Sequence, residues 1–321
     1  MRASKILKLT SVLIVALTLT GAGVAAGWHV ANQHDYAAYH KFPLLDPSVN
    51  DPNVHQEIIN FDPLRQTLKA YLASLNVQHS LYFEYLPNGT NIRDGDDNIS
   101  QAASLMKTPI VMDLYKLAEL GMINLDQPVT VTQDEISTDP EFGNTTGLKP
   151  GDKITLRHAA EITLHNSDNT AFAVIGNSIR PLLKNNTDSV QNLDITFSTN
   201  GNKPGNEQVL ISSRSYSSIL KCLYYSCFNS PQDSTTMINF LSDSSDSHRL
   251  MAGVEGSGVR VAHKVGSSPV SQSDCGIIYY PKRPYLVCLM LFNIPSGTNV
   301  DQYFEQVSQT IYDYVASIGD N

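Results

Sequence analysis

Three short runs put a hydroxyl or an amine where acyl transfer could use it. Ser104-Leu105-Met106-Lys107 sets a serine and a lysine three residues apart. Ser167-Asp168-Asn169 groups a hydroxyl, a carboxylate and an amide, and Lys264-Val265-Gly266 continues an apolar run of β character. Residues i and i+3 share a helix face, so the Lys107 amine would reach the Ser104 hydroxyl and accept its proton. An amine serves as a base near neutral pH only if burial or a nearby cation depresses its pKa, and Lys264 would be such a cation. Opening a helix at Ser104 would add the positive end of the helix dipole, which favours a developing anion. The catalytic candidates are therefore Ser104, Lys107, Ser167 and Lys264, with Ser167 passing a proton to the leaving nitrogen. Lys264 would also hold a substrate carboxylate. Gly266 and Ser267 would bind substrate, Asn169 would bind substrate or position the lysine, and the amides of Ser104 and Ser267 would form an oxyanion hole.

Each run is weak alone. Ser218-Ile219-Leu220-Lys221 repeats the first spacing, while Lys149-Pro150-Gly151 and Lys203-Pro204-Gly205 repeat the third and look like turns. Only Ser104 follows a predicted hairpin and opens a strong helix, and only Lys264 lies on a predicted strand followed by two more. Order and element type together select one triple. The histidines contain no H-E-x-x-H pair, so no metal or other cofactor is expected. His263 should point to the face of its strand opposite Lys264, and His165 reads as a packed or rim residue. No G-x-S-x-G run marks an α/β-hydrolase elbow.

The elements that must position these groups come in a telling order. Residues 61–75 have helical spacing after Asp62-Pro63, and 80–86 read as a strand followed by the Pro87-Asn88-Gly89 turn and a second strand. The middle, about 104–255, is mostly helical, clearest over 106–120 and 156–179. The carboxyl end returns to strands at 259–266, 275–280 and 285–292, then an amphipathic helix at 300–318 with Tyr303, Val307, Ile311 and Val315 on one stripe. The expected class is α+β: one antiparallel sheet built from both ends of the body, flanked by helices, with a mainly helical lobe inserted and a cleft between.

The hydrophobic content of 41% and charged content of 17% suit one large domain or two closely packed lobes. A net charge of −9, with no basic cluster past the first ten residues, argues against nucleic acid as a partner. Arg2, Lys5 and Lys8 precede an apolar stretch over 9–30, long enough to span a bilayer. Two readings stand: an uncleaved transmembrane anchor, for which Trp28 would be an interface residue, or a signal peptide cleaved near Val24-Ala25-Ala26. Both export the body. Residues 31–60 read as a linker and 61–321 as the catalytic domain, expected to be monomeric. Cys222, Cys227, Cys275 and Cys288 lie in that oxidising compartment. A hairpin centred near Lys282 is expected to make Cys275 and Cys288 diagonal, so buried reduced thiols are the favoured expectation.

From about Phe61 to Ile318 the chain resembles the class A β-lactamase family, within the β-lactamase/transpeptidase-like superfamily. The supporting stretches are Leu148-Lys149-Pro150-Gly151-Asp152, Ser167-Asp168-Asn169-Thr170-Ala171, Val261-Ala262-His263-Lys264-Val265-Gly266 and Asp274-Cys275-Gly276-Ile277. The resemblance implies acylation of Ser104 by a β-lactam or by a D-alanyl-D-alanine-type amide of a peptidoglycan stem peptide. The chain departs from the family pattern twice. The family's hydrolytic members carry a glutamate in an E-x-x-L-N setting between the second and third motifs, whereas residues 188–210 hold only Glu207, followed by Gln208-Val209-Leu210-Ile211. Val265 stands where the family has a hydroxyl, for which Ser267 or Ser268 could substitute. Slow deacylation, as in a penicillin-binding D,D-peptidase, is the alternative these departures imply, and a non-catalytic tethered protein of the same fold is the remaining one.

Overall fold

The computed structural model describes residues 59–139, 143–184, 187–193, 195, 198–200 and 208–318. The amino-terminal anchor or signal segment, most of the linker and Glu207 lie outside the described residues, and no described helix is long and apolar enough to cross a membrane.

Helix α1 (Asp62–Ala73) starts with Pro63 in its first turn and buries Leu64, Leu68 and Leu72. The hairpin of β1 (Gln78–Tyr85) and β2 (Thr90–Asp94) turns at Gly89, whose φ of 73° suits a residue without a Cβ. Strand β3 (Ile99–Gln101) leads into a 3₁₀ turn at Ala103–Met106 and then α2 (Lys107–Glu119). Strands β4 (Pro128–Thr130) and β5 (Lys153–Thr155) form a two-stranded ribbon ahead of α3 (Leu156–His165) and α4 (Asn169–Ile179). The short α5 (Ser189–Asn192) precedes β6 (Ser198–Asn200) and β7 (Gln208–Ser212), which pair with each other, and β7 also pairs with β3. Next come α6 (Ser213–Tyr225) and α7 (Pro231–Ser242), capped by the hydroxyls of Ser212 and Ser230. The chain ends with β8 (Arg260–Ser268), β9 (Ser271–Tyr279), β10 (Tyr285–Phe292) and α8 (Asp301–Ser317).

The main sheet is antiparallel in the order β2-β1-β10-β9-β8, so strands from both ends of the body meet at β1 and β10. Two cores result, one on each face. Leu81, Phe83, Val287, Leu289 and Leu291 pack toward α1 and α8, where Leu68, Phe304 and Ile311 complete one cluster. Leu286, Cys288 and Met290 face the other way, into a cluster with Leu105, Val111, Tyr216 and Ile219 from the inserted lobe. Burial on both faces explains why β10 reads as a continuous apolar run.

Two expectations are corrected. The predicted helix over 156–179 is two helices, broken at Asn166–Asp168, where Ser167 takes a φ of +57° and Asp168 caps α4 by accepting from the Ala171 amide at 2.8 Å. Helical periodicity on both sides hid the break, because Ser-Asp-Asn forms a cap as readily as a helix turn. The cysteines are bridged. Cys275 and Cys288 are directly opposed in the β9–β10 register and form a disulfide, with Cα atoms 3.9 Å apart. Cys222 and Cys227 form a second across the end of α6, where Ser226 is left-handed at φ +53°.

Candidate active site

The cleft lies where the inserted lobe meets β8. Ala103, immediately before Ser104, has a φ of +44°, and the 3₁₀ turn feeds straight into α2 with Lys107 as its first residue. Strand β8 passes this turn at Gly266. A Cβ there would lie 2.9 Å from the Ala102 carbonyl oxygen and 3.0 Å from Leu105 Cγ, so glycine is the residue that lets the strand come close.

Three of the sequence-selected side chains, those of Ser104, Ser167 and Asn169, converge on the amines of two others, Lys107 and Lys264. Lys107 Nζ is 2.9 Å from Ser104 Oγ and 3.1 Å from Ser167 Oγ, and it donates to the Ser167 carbonyl at 2.7 Å and to Asn169 Oδ1 at 2.6 Å. Lys264 Nζ donates to Ser167 Oγ at 3.0 Å and to the carbonyl of Val265 at 3.1 Å. The Ser167 hydroxyl therefore bridges the two lysines. Both lysines are buried. Burial, aided by the positive charge of Lys264, lowers the Lys107 pKa to about 7. Burial also lowers Lys264 to about 8, with Arg249 contributing in the same direction and Asp274 and Asp246 opposing it.

Hydrogen-bond arithmetic then fixes what Lys107 can do. The Ser167 carbonyl and Asn169 Oδ1 only accept, so they claim two N–H groups. In the neutral amine no third N–H remains, and the single lone pair is left to accept from one hydroxyl, with Ser104 Oγ at 2.9 Å nearer than Ser167 Oγ at 3.1 Å. That is a base aimed at a serine proton.

Asp168 serves structure. It is fully buried and accepts from Thr145 Oγ1 at 3.1 Å, from the Thr146 amide and hydroxyl at 2.9 Å each, and from Ala171. These bonds tie the 143–148 loop to the turn that presents Ser167. Ser267 sits half-buried beyond Gly266, and its hydroxyl accepts from Arg249 Nη2 at 3.0 Å. The side chain of Val265 offers no hydroxyl.

Arg249 is the residue that sequence reading missed. It lines, with Lys264 and Ser267, a cavity of about 1010 Å³ that also touches Ser167. Its guanidinium donates to Asp301 Oδ1 at 3.0 Å, to the Ser273 carbonyl at 2.9 Å and to Gln272 Oε1. A lone arginine in a Ser/Asp-rich loop belongs to no motif, so only its position in space marks it. His165 lines the same cavity. His263 points away from the cleft and is bonded to Asp274 at 2.9 Å. The competing Ser218/Lys221 pair is ordinary helix surface: Lys221 pairs with Glu84 at 3.0 Å, and Ser218 bonds back to the Arg214 carbonyl. Lys149-Pro150-Gly151 is a turn, and Lys203-Pro204-Gly205 lies outside the described residues.

Residues 63–315 match the family model described as "Beta-lactamase enzyme family". The chain belongs to that family. The resemblance read from the motifs is thereby shown, and solved structures agree on the β-lactamase/transpeptidase-like fold. PBP-A matches with a TM-score of 0.69 and 23% identity over 80% of this chain and 97% of its own. A β-lactamase from Sphaerobacter thermophilus DSM 20745 matches at 0.69 and 20% identity, covering 81% of this chain and 99% of its own. The ancestral class A β-lactamase GNCA matches at 0.68 and 18% identity, over 78% of this chain and 99% of that one. No curated protein matches the chain. Membership makes the chain a β-lactamase-like serine hydrolase in fold, with Ser104 and Lys107 on the turn and helix that face the sheet edge and Lys264 on that edge.

Proposed function

We propose that the chain is an acyl-transferring serine hydrolase that forms an ester on Ser104 with β-lactams or with D-alanyl-D-alanine-type amides and releases it slowly. The observation that carries this reading is the Lys107 amine, held by two carbonyl acceptors with its remaining valence toward Ser104 Oγ at 2.9 Å. The substrate carboxylate lies against Lys264, Arg249 and the Ser267 hydroxyl, which takes the place of the hydroxyl that Val265 lacks. The amides of Ser104 and Ser267 receive the carbonyl oxygen. Neutral Lys107 removes the Ser104 proton as Oγ attacks the carbonyl carbon. The tetrahedral adduct then collapses, the C–N bond breaks, and Ser167 delivers a proton to the leaving nitrogen while regaining one from a lysine. Water later cleaves the ester and regenerates Ser104.

Slow release rests on chemistry near the ester. Among the described residues, the acids lining the cavity are Asp139, Asp246 and Asp301, and Asp301 is engaged by Arg249. Between Asn169 and Lys264 the sequence carries only Glu207 and Glu255, neither in an E-x-x-L-N setting. A base for water must stand within hydrogen-bond reach of it. Among the solved relatives, a mutant of PBP-A was captured as an acyl-enzyme complex with penicillin G. Export of the body, by anchor or by cleaved signal, fits a cell-wall substrate and belongs to this same proposal. Incubation with a fluorescent penicillin followed by intact-mass measurement tests it. The expected result is one adduct, absent in Ser104→Ala, that persists for hours. An unlabelled wild-type protein at saturating penicillin would reject the reading.

A further inference from the structure

Beneath the cleft, on the far side of the edge strand β8, a buried histidine–aspartate pair grips the segment that carries Arg249. His263 Nδ1 lies 2.9 and 3.1 Å from the two carboxylate oxygens of Asp274, and its Nε2 lies 3.2 Å from the carbonyl oxygen of Asp246. Asp274 also accepts from the Leu250 amide at 3.0 Å. The pair thus holds both ends of residues 246–250. Arg249 sits between these tethers with a φ of +56°, a left-handed conformation that is unfavourable for a non-glycine residue and persists only where its surroundings enforce it.

Gly276 gives the side chain of His263 room to pack. The residue opposite His263 in the register is Gly276, where a Cβ would lie 2.7 Å from the Cβ of His263 and 2.9 Å from the Ala262 carbonyl oxygen. His263 and Asp274 are both buried. Both ring nitrogens face pure acceptors, a carboxylate and a carbonyl, so the arrangement is satisfied by the doubly protonated ring. Burial opposes the cation on His263, as does Lys264, while Asp274 and Asp246 favour it, and the net effect raises its pKa above the ordinary imidazole value. The mechanism uses none of this chemistry.

We propose that His263, with Asp274, is a positioning residue: it fixes residues 246–250 against the sheet edge so that the Arg249 guanidinium stands beside Lys264 and Ser267 to receive the substrate carboxylate. This inference rests on the acyl-enzyme reading above. It makes a claim that reading does not, because it ties a residue outside the cleft to anion binding and leaves the chemical step alone.

The test measures Ser104 labelling of the full chain by two probes, a fluorescent penicillin that carries a carboxylate and p-nitrophenyl acetate, which carries none. For His263→Ala, the half-saturating penicillin concentration is expected to rise about tenfold or more. Its limiting labelling rate and its rate with the neutral ester are expected to stay within about threefold of wild type. His263→Gln, which keeps an N–H donor, should recover part of the affinity, and Arg249→Ala/His263→Ala should be no worse than Arg249→Ala alone. If His263→Ala does not fold, His263→Gln and Asp274→Asn carry the same comparison. Equal losses with both probes, wild-type behaviour with both, or additive losses in the double variant would each overturn the proposal. A wild-type protein labelled by neither probe would reject the acyl-enzyme reading and this inference with it, an outcome distinct from the other three.

Discussion

At the scale of single residues, the proposed catalysis turns on which proton each lysine holds. Lys107, with a pKa near 7, acts as a base only when neutral, so Ser104 acylation should rise with pH through that value. Lys264, with a pKa near 8, binds an anion only when charged, so affinity should fall as pH climbs past it. The second-order acylation constant is therefore expected to be bell-shaped, with its maximum between these values. Lys107→Ala should slow acylation by about 10²-fold or more, the usual scale for losing a positioned base. Ser104, Lys107, Ser167, Asn169 and Lys264 were legible in the sequence because local spacing and element type select them. Arg249 was not, because its role depends on a strand edge, a second loop and α8, brought together only by the fold.

Among the elements, the turn between α3 and α4 does the most to assemble the site. Asp168 joins four donors there while Ser167 is held left-handed. Asp168→Ala should cost about 2 kcal/mol or more of stability in a denaturant melt, since a cap alone contributes about 1 kcal/mol and further donors lose their acceptor. The same variant should lower acylation by displacing the Ser167 hydroxyl. The disulfide across β9 and β10 sits beside the site, because Cys275 is also the register partner of Lys264. Closing a loop of this length contributes about 3 kcal/mol by the loop-entropy argument, so Cys275→Ser/Cys288→Ser should melt clearly lower than wild type in a thermal scan. Sequence reading found the two strands but set their register one step off, which turned opposed cysteines into diagonal ones. Register depends on where the turn closes, and the Pro281-Lys282-Arg283-Pro284 link admits more than one turn. The break at Ser167 was missed for the related reason that local periodicity does not reveal a left-handed residue.

Across the whole molecule, one sheet separates two cores and presents its edge to the cleft. The order β2-β1-β10-β9-β8 was legible in outline because strands cluster at both ends of the body and helices in the middle. The three-stranded β3-β7-β6 sheet was not foreseen, since strands of three to five residues carry too few positions to show a period. Because β10 is central and buried on both faces, damage there should lower stability globally. Leu289→Ala, at a fully buried position, is expected to cost roughly 2–5 kcal/mol, the range for cavities left by leucine truncation, read as a lower denaturant midpoint. The two lysines meet only because the inserted lobe brings α2 to the edge strand, and this architecture supports reading the depressed amine pKa as functional. The pH dependence of Ser104 labelling by penicillin, followed by mass on wild type and Lys264→Gln, tests that most directly. Half-maximal acylation is expected near pH 7 in wild type, with an upward shift when the neighbouring charge is removed. A rate that is flat across the neutral range, or a midpoint unchanged in Lys264→Gln, would contradict a lysine base tuned by its neighbour.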